Sequence, residues 1–493
     1  MLHDIRNSSG IILLFTLLFI GLSWYYDLDY WLTQRPKSVH VWRQTDCASY
    51  ALNYYQNERS FFSPQVHHRH AINGSTASEF PIIYYIASKL YTWFGFDDRY
   101  IRWIGYAIYY LSLISLILAS GYFIKNKILQ LFPAILMMMS CVLIYYAANY
   151  LPDVPALSFA IIGFYFFVRN IYHGKKSDLY LAISFGALAA LLKISSGLIL
   201  GTILLYILYQ KLIIKNNQFN ITDLIAIFGG FSLIFMWLYY VKNYNEAGQY
   251  FGNLQGTMGI WLCDSAKIGY IFKRTFEEWI PALGSRKLWL LFLPATIFVA
   301  YYWRKLDAVL KFFIPVLFCG SMVYYVAFFA VFDVHDYYFV NMFIFPIILS
   351  IGFFHILEQK LKPIHLRYFI AASIVLFAMT AEDTSAQFYN RRYHGGWNSS
   401  PPSGFFKIEP YLRSLGIDRH QLIYSPSDGS TNITLYYANN PGWTKLFGTT
   451  AESAISRGAS YMLIVTAEFD SEEFSKYKDK VIGEFEGVSV VKF

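Results

Sequence analysis

The sequence predicts an integral membrane protein: an all-α bundle of about eleven transmembrane helices with outer juxtamembrane helices, followed by a small C-terminal α/β domain. Of the 493 residues, 56% are hydrophobic and only 15% are charged, whereas about a quarter of an average soluble domain is charged. Aromatic residues make up 20% of the chain, which is typical of spans with aromatic belts at both membrane interfaces. Apolar runs with the length of a membrane-spanning helix also recur along the chain.

The apolar runs place the individual spans. A helix needs about 20 apolar residues to cross the hydrocarbon core of a membrane. The stretch 179–212 is too long for one helix that rises about 1.5 Å per residue, so we divide it into a short hairpin at Lys193. The eleven predicted spans are 9–26, 102–124, 128–148, 154–171, 179–192, 195–212, 222–241, 287–303, 309–331, 339–357 and 367–382.

The charged residues of the loops predict the orientation. If the N-terminus is cytoplasmic, every inner loop is net basic, because these loops carry thirteen Lys and Arg residues against three acids. Cytoplasmic loops are enriched in Lys and Arg, so we expect a multi-pass protein of the cell inner (plasma) membrane. The segments 27–101, 242–286 and 383–493 then lie outside. The net charge of +8 arises from short loops between apolar runs, so no nucleic-acid partner is expected.

The chain divides into two predicted domains, a transmembrane module (1–382) and an outer soluble α/β domain (383–493). Stretches rich in Gly and Pro at 394–396 and 401–404 mark the change in composition. Beyond them, apolar and amphipathic segments alternate, which is typical of a small α/β domain. The short apolar runs are 422–424, 462–465 and 488–491, and the amphipathic stretches are 431–438, 450–457 and 471–479.

The first outer loop (27–101) contains two further helical patterns. From Cys47 to Tyr55, apolar side chains recur every three or four residues. The segment from Phe80 to Phe94 is apolar but too short to cross a membrane. Helices of this kind usually lie in the plane of the interface, so we expect this loop to form a roof over the membrane surface.

The four cysteines exclude two kinds of structure. They are too few and too scattered for a disulfide framework or a metal cluster. Cys47 and Cys263 both fall in predicted outer loops, so one bridge between them stays open.

Ionisable groups at the membrane surface are the candidates for chemistry, because placing Lys or Asp at a helix centre costs about 2.5–3.5 kcal/mol. Asp46, just before the first interfacial helix, is either a helix N-cap or a general base. Arg43 is close enough in sequence to pair with Asp46 or to bind an anion. Glu79 opens the second interfacial helix, where it either stabilises the helix dipole or contributes to the same outer site.

Two more candidates lie in predicted outer turns between spans. Asp153, between Pro152 and Pro155, is either a helix cap or a second carboxylate that tethers a metal or orients a substrate hydroxyl. Lys193 is either a cation that snorkels to the interface or one that binds a lipid phosphate. Its outer position opposes the positive-inside bias and favours the second interpretation.

The segment His335-Asp336-Tyr337-Tyr338 closes a long span at its predicted outer end. Tyr residues at this depth are usually part of the aromatic belt. His335 and Asp336 are either solvated turn residues or part of a headgroup or metal site, since both side chains are ordinary metal ligands.

Taken in order, these motifs resemble the polyprenyl-phosphate-dependent glycosyltransferases of the GT-C superfamily. More narrowly, they resemble the bacterial family 39/83 group, which includes protein O-mannosyltransferases and the aminoarabinose transferases that act on lipid A. The order of the motifs and their shared outer placement carry the resemblance. The resembling pieces are Trp42-Arg43-Gln44-Thr45-Asp46, Glu79-Phe80-Pro81, Leu151-Pro152-Asp153-Val154-Pro155, Leu191-Leu192-Lys193, His335-Asp336-Tyr337-Tyr338 and Gly442-Trp443.

The resemblance implies a fold and roles for single residues. The implied fold is a GT-C-like bundle with two juxtamembrane helices in the first outer loop and an outer C-terminal domain. Asp46 matches the catalytic Asp of the family and Asp153 its second outer carboxylate. Lys193 matches the Lys that contacts the lipid-linked phosphate, and Glu79 matches the Glu before Pro.

One position departs from the family pattern. The lipid A aminoarabinose transferases have a Lys between the conserved Glu and Pro, and here this position is Phe80. The departure speaks against that particular substrate. It also leaves the phosphate more dependent on Lys193 or on an arginine such as Arg43 or Arg69.

The implied reaction moves a sugar from a polyprenyl-phosphate donor to a hydroxyl of a glycan, lipid or protein acceptor, with inversion and with Asp46 as the base. Members of the group differ in whether they need a divalent metal, so a metal stays open. The main alternative is a multi-span lipid or solute transporter or flippase. Such proteins place ionisable groups near the midplane and often show inverted repeats, and neither pattern occurs here. A non-catalytic scaffold is the third alternative, but it would not need the costly Lys193.

Overall fold

The computed structural model of the chain describes residues 8–216, 218–250, 258–393 and 403–493. The composition change predicted at 394–396 and 401–404 lies largely outside these residues. The chain forms two compact units. The first, which we call the helical unit, comprises Met1–Leu32, Arg102–Leu238 and Gln255–Tyr389. The second, which we call the mixed unit, comprises Thr33–Ile101, Tyr239–Leu254 and Asn390–Phe493. The sequence-based domain division at 382/383 stays a prediction.

Long apolar helices dominate the chain, as the sequence predicts, and each of the eleven predicted spans falls on helical structure. In the described ranges, seven helices are long and apolar enough to cross a membrane, and two bent pairs raise the number to nine. The main helices are Ser9–Tyr25, Arg99–Ser120, Phe132–Met138, Cys141–Ala147, Asp153–His173, Lys176–Leu192, Leu198–Leu208, Ile221–Ala247, Ser265–Arg274, Arg286–Tyr301, Ala308–Ala327, Ile344–Lys360 and Pro363–Tyr393.

The difference between eleven and nine has a simple cause. The predicted spans 9–26 and 179–192 form the helices Ser9–Tyr25 and Lys176–Leu192, each of 17 residues. Seventeen residues lie at the lower limit for crossing the hydrocarbon core. The multi-pass membrane character that the sequence predicts is therefore confirmed, and seven to nine helical segments of the described residues are long and apolar enough to cross a membrane.

The two bent pairs are breaks that hydropathy does not reveal. Leu129–Met138 and Cys141–Ala147 meet at 74°, and Ser265–Leu283 and Arg286–Tyr301 meet at 99°. At the first break, Ser140 is extended and its side chain accepts a hydrogen bond from the Leu143 N–H. A serine in this arrangement caps the N-terminus of a new helix, so the chain turns there while remaining apolar.

The helical hairpin that contains Asp153 and Lys193 positions both residues at one end. Asp153–His173 and Lys176–Leu192 pack against each other along their length. A Cβ at Gly163 would lie 3.2 Å from the Ala182 carbonyl oxygen, so glycine permits this close approach. The chain leaves helical geometry at Lys193 (φ −152°, ψ 116°), where the sequence predicts the division of the run 179–212.

The mixed unit contains the two predicted helices of the first loop, Val41–Gln56 and Ile82–Phe94, packed against each other. It also contains a five-stranded sheet with the order β2-β1-β3-β5-β4. Strands β1, β2 and β3 run parallel, and β5 pairs antiparallel with β3 and β4. The predicted α/β character of the tail is thus confirmed. The strands are β1 Ile423–Ser425, β2 Gly442–Thr444, β3 Tyr461–Val465, β4 Val481–Phe485 and β5 Val488–Lys492.

The first loop and the tail are joined within the mixed unit. The Gly442 N–H donates to the His67 carbonyl (3.1 Å), and the Arg69 N–H donates to the Gly442 carbonyl (2.6 Å). A Cβ at Gly442 would lie 1.8 Å from the Ile423 carbonyl oxygen, so only glycine fits between the two neighbouring backbones. The helix Ile433–Ala438 packs on Val41–Gln56. The tail therefore contributes directly to the surroundings of the first-loop helices.

Candidate functional site

Lys193 and Asp153 form an ion pair in the helical unit. The Lys193 Nζ lies 3.0 Å from the Asp153 Oδ1, and the side chains are 20% and 2% exposed. Asp153 is the first residue of its helix, directly after the N-cap residue Pro152, so it lies in the first helical turn and the capping interpretation stays a prediction. One cation and one buried carboxylate balance each other here, which is the condition for placing a carboxylate in a non-aqueous interior.

Two tyrosines of the His335–Tyr338 turn contact the Lys193 side chain of this pair. The Lys193 Nζ lies 4.2 Å from the centre of the Tyr338 ring and 5.0 Å from that of Tyr337. Such cation–π contacts hold the ammonium group in place. Asp336 is buried and accepts a hydrogen bond from the Tyr146 hydroxyl (2.6 Å). The His335 ring lies 5.0 Å from the Tyr337 ring. The turn thus encloses Lys193 in aromatic side chains.

In the mixed unit, Glu79 is held by three donors. The Arg43 Nη2 lies 2.5 Å from its Oε2, and the Ser78 and Tyr84 hydroxyls donate at 2.6 and 2.5 Å. Burial alone would raise the pKa of Glu79, but Arg43 and the two hydroxyls outweigh it and lower this pKa to about 2. Glu79 is therefore a permanently ionised carboxylate at neutral pH. The sequence places Glu79 in the first turn of the second interfacial helix. In the structure this helix is Ile82–Phe94, so Glu79 lies before it.

Asp46 shares Arg43 with Glu79 but is less strongly stabilised. Burial raises the pKa of Asp46 to about 7, although the charge of Arg43 and a hydrogen bond from the Thr431 hydroxyl (3.0 Å) act in the opposite direction. The negative charge of Glu79 adds to the rise. The helix begins at Val41, and its N-cap is His40. The N-cap interpretation of Asp46 is therefore wrong, because Asp46 lies inside the helix, one turn after Arg43 and on the same face.

Thr431, which the tail supplies to Asp46, is not among the site residues that the sequence predicts. Asp428 fixes the loop that carries Thr431 by accepting hydrogen bonds from the Ser430 and Thr434 N–H groups at 2.7 and 2.8 Å. The Asn432 side chain donates to the Thr45 carbonyl at 3.3 Å. Nothing in the local sequence indicates these contacts, since Thr431 and Asp46 are 385 residues apart.

Phe80, the departure from the family pattern, lies in an aromatic environment. Its ring centre is 5.0 Å from that of Phe61 in an edge-on arrangement. A cation at this position would lose that contact. Any phosphate contact made by the mixed unit must therefore come from other side chains, such as Arg43.

The cysteines and the potential metal ligands test two alternatives that the sequence leaves open, a disulfide and a metal site. All four cysteines are free, and Cys47 is buried, so the bridge between Cys47 and Cys263 is not formed. In residues 8–216, 218–250, 258–393 and 403–493, no group of three or more His, Cys, Asp or Glu side chains could hold a metal ion.

The comparisons with known proteins concern the fold. No protein-family model and no curated protein sequence matches the chain. ArnT from Cupriavidus metallidurans in the apo state is 11% identical with a TM-score of 0.60, and the match covers 98% of both chains. ArnT bound to undecaprenyl phosphate is also 11% identical, with 97% of both chains covered and a TM-score of 0.59.

A second group of similar structures comes from an archaeon. The oligosaccharyltransferase AglB from Archaeoglobus fulgidus, in complex with an inhibitory peptide and a dolichol-phosphate, is 10% identical with a TM-score of 0.54. That match covers 89% of this chain and 67% of AglB. Both ArnT and AglB are members of the GT-C superfamily. This chain has the GT-C fold.

The GT-C fold confirms the architecture that the sequence motifs imply. ArnT matches over almost the whole chain, including the tail, so the likeness extends beyond the membrane helices. At identities of 10–12%, the likeness is one of fold. Because one fold supports different chemistries, the activity has to be argued from the two polar clusters.

Proposed function

We propose that the chain is a membrane glycosyltransferase that moves a sugar from a polyprenyl-phosphate donor to a hydroxyl acceptor. ArnT has been determined with undecaprenyl phosphate and AglB with a dolichol-phosphate, and we extend this class of lipid to the present chain. We also propose that the reaction takes place on the outer face of the inner membrane, because the thirteen loop cations favour a cytoplasmic N-terminus.

The pKa difference between Asp46 and Glu79 carries the proposal. The two carboxyl groups share Arg43, yet their pKa values are about 7 and about 2. When the surroundings of two carboxyl groups give them very different pKa values, the two groups can play different chemical roles. Glu79 stays ionised and holds Arg43, whereas Asp46 can accept and release a proton near neutral pH, as a general base must.

In the proposed step, the acceptor hydroxyl gives its proton to the Asp46 carboxylate while its oxygen forms a bond to the anomeric carbon of the sugar. The bond between that carbon and the phosphate oxygen breaks, and polyprenyl phosphate leaves with the electron pair. Attack from the face opposite the phosphate inverts the configuration. The Thr431 hydroxyl, 3.0 Å from the Asp46 Oδ1, orients the base.

Two cations are candidates for contact with the donor phosphate, and each is considered by itself: Lys193 in the helical unit and Arg43 in the mixed unit. Lys193 is held by Asp153 and by the faces of Tyr337 and Tyr338, so little reorganisation is needed when a phosphate arrives. Arg43 uses one Nη on Glu79, and a guanidinium has five N–H donors. Asp153 is then a positioning residue, and His335 and Asp336 shape the aromatic enclosure.

The test is Asp46→Asn in membranes supplied with synthetic polyprenyl phosphates that carry a panel of radiolabelled sugars. We expect release of polyprenyl phosphate to fall by about 10²–10⁴-fold, the usual contribution of a general base, while donor binding is retained. Asp470→Asn, an exposed residue of the mixed unit, is the matched control. Transfer near the wild-type rate in Asp46→Asn would refute the proposal. A flippase would move the lipid and leave its sugar attached in wild type and variant alike.

A further inference from the structure

A surface pocket of the mixed unit is lined by three arginines that the proposed reaction does not use. The pocket has a volume of about 500 Å³ and includes Arg59, Arg69 and Arg419, with His420 beside them. Arg59 comes from the turn after the helix Val41–Gln56, Arg69 from the strand-like segment beside β2, and Arg419 from the tail. The first loop therefore contributes two arginines to this pocket and the tail contributes the third.

Neutral groups, not carboxylates, position these side chains. The Arg59 Nε donates to the Gln65 Oε1 at 2.9 Å, and the Arg419 Nη2 donates to the Gln56 carbonyl at 3.2 Å. The Arg69 backbone is fixed by the Gly442 carbonyl and by the Trp443 Nε1–H, which donates to the Arg69 carbonyl at 3.0 Å. The guanidinium groups of Arg59 and Arg419 are thus held by neutral acceptors, and the backbone of Arg69 is fixed at the same pocket.

The three arginines form no ion pair with any carboxylate in the described part of the chain. Glu58 is the acid among the described residues that line the pocket, and it lies within salt-bridge distance of none of them. Burial and the neighbouring charge of Arg59 lower the pKa of Arg69. Three cations face one carboxylate, Glu58, in this pocket, so the lining has an excess of positive charge that favours an anion.

We infer that this pocket binds the phosphate group of a phosphorylated sugar, and that it does so as a recognition site for the acceptor. Guanidinium groups bind phosphate oxygens in pairs of parallel hydrogen bonds, and three of them around one pocket suit a tetrahedral anion. Gln56, Asn57 and Asn73 also line the pocket and supply amide groups for sugar hydroxyls. The acceptor role rests on the proposed glycosyltransferase function, whereas phosphate binding itself does not.

The experiment measures binding of glucose 1-phosphate to the purified full-length protein by calorimetry, with glucose as the uncharged comparison. We expect glucose 1-phosphate to bind and glucose not to bind. The substitutions Arg59→Gln and Arg419→Gln should each weaken binding by about tenfold, the loss of one charge-assisted hydrogen bond of about 1.4 kcal/mol. Arg457→Gln removes an exposed arginine of the same unit that does not line the pocket, and it should bind like wild type.

Two further arms separate the outcomes. Asp46→Asn should bind glucose 1-phosphate like wild type, so the pocket can be confirmed even if the transfer reaction fails. Nanodiscs that carry a glycolipid with a phosphorylated sugar head, compared with free glucose 1-phosphate, show whether the lipid-linked source binds more tightly. Absence of binding to wild type, or equal binding to wild type and to the two pocket variants with unchanged melting temperatures, would overturn the inference.

Discussion

The two polar clusters differ in their charge balance. In the helical unit, one cation, Lys193, faces one buried carboxylate, Asp153. In the mixed unit, one cation, Arg43, serves both Glu79 and Asp46. The Lys193–Asp153 pair holds one charge of each sign. In the mixed unit, burial raises the pKa of Asp46 to about 7, and the negative charge of Glu79 adds to the rise, although Arg43 acts in the opposite direction.

This difference shows how similar residue types obtain different tasks. A cation that is held by a carboxylate and by aromatic rings is fixed in place, which suits the binding of a charged ligand. An unbalanced group contains a carboxyl that exchanges its proton near neutral pH, which suits proton transfer. Burial acts on Asp46 and Glu79 alike, and the stronger contacts of Glu79 with Arg43, Ser78 and Tyr84 separate the permanently ionised carboxylate from the one that can act as a base. Five predictions test this view.

Removal of the shared cation should have the largest effect. Arg43→Met leaves two carboxylates without their common partner, which should cost about 3 kcal/mol of folding free energy. The folded-state pKa of both carboxyls would then lie above the unfolded values, so the loss is present at pH 8 and shrinks as the pH falls through the raised pKa values. Thermal unfolding at pH 8 and pH 5 measures this.

Arg43→Lys is the control, since it keeps the charge and should keep most of the stability. A stability loss in Arg43→Met that is the same at both pH values would show that packing, not charge, explains the effect.

Substitution of Lys193 and substitution of Asp153 should lower the free energy of unfolding by different amounts. Lys193→Met removes the cation from Asp153, whose side chain is 2% exposed, and should cost about 2 kcal/mol. Asp153→Asn should cost less, because the Lys193 side chain is 20% exposed and keeps its contacts with Tyr337 and Tyr338. The double variant Lys193→Met/Asp153→Asn should recover part of the loss. Chemical unfolding of the three variants checks this, and equal losses in the two single variants would contradict it.

The rate of transfer should follow the ionisation of Asp46. Below pH 7 the rate should fall about tenfold per pH unit, because only the carboxylate form accepts a proton, and it should level off above pH 7. Glu79, with a pKa of about 2, should cause no inflection between pH 5.5 and 8.5. Initial rates at saturating donor over this range test the prediction, and a flat profile would exclude Asp46 as the base.

Asp46 should also reduce stability in its ionised form. Its folded-state pKa lies above the ordinary value of 3.8, so the folded state binds more protons than the unfolded state and stability falls as the pH rises from about 4 to 7. Asp46→Asn removes this cost. After allowance for the exposed part of the side chain, we expect a gain on the order of 1 kcal/mol at pH 8 and none at pH 4. A melting temperature unchanged at pH 8 would argue against a raised pKa.

Much of the fold can be predicted from the sequence because hydropathy is a local property. Each predicted apolar run forms helical structure, and the first-loop helices Val41–Gln56 and Ile82–Phe94 occur where the periodicity places them. The first bend is missed because Ser140 lies within an apolar stretch and acts through one backbone hydrogen bond. Strands β2 and β4 are missed because β2 has three residues and β4 alternates between exposed and half-buried positions.

The site can be predicted less well than the fold. The residue types and their helices are recognisable, but pairing depends on packing between distant segments. The local sequence does not indicate that Lys193 pairs with Asp153. It also does not indicate the ion pair between Arg43 and Glu79 or the hydrogen bond from Thr431 to Asp46. Burial, nearby charges and hydrogen bonds together set the pKa of a carboxyl group. The three-dimensional structure is therefore needed to tell a carboxylate that stays ionised from one that can act as a base.

Removal of the hydrogen bond between Thr431 and Asp46, which are 385 residues apart in sequence, should have the smallest effect on the rate of transfer. Thr431→Val removes the hydroxyl that donates to the Asp46 Oδ1. Since this hydrogen bond favours the ionised form, its loss should raise the pKa of Asp46 by about half a unit. The rate at pH 7 should fall about twofold, whereas the rate at pH 9 should stay unchanged, because Asp46 is ionised there in both proteins. Thr431→Ser keeps the donor and should keep the wild-type profile. A lower rate at pH 9 in Thr431→Val would instead assign Thr431 to substrate binding, because a change in the pKa of Asp46 alone cannot lower the plateau.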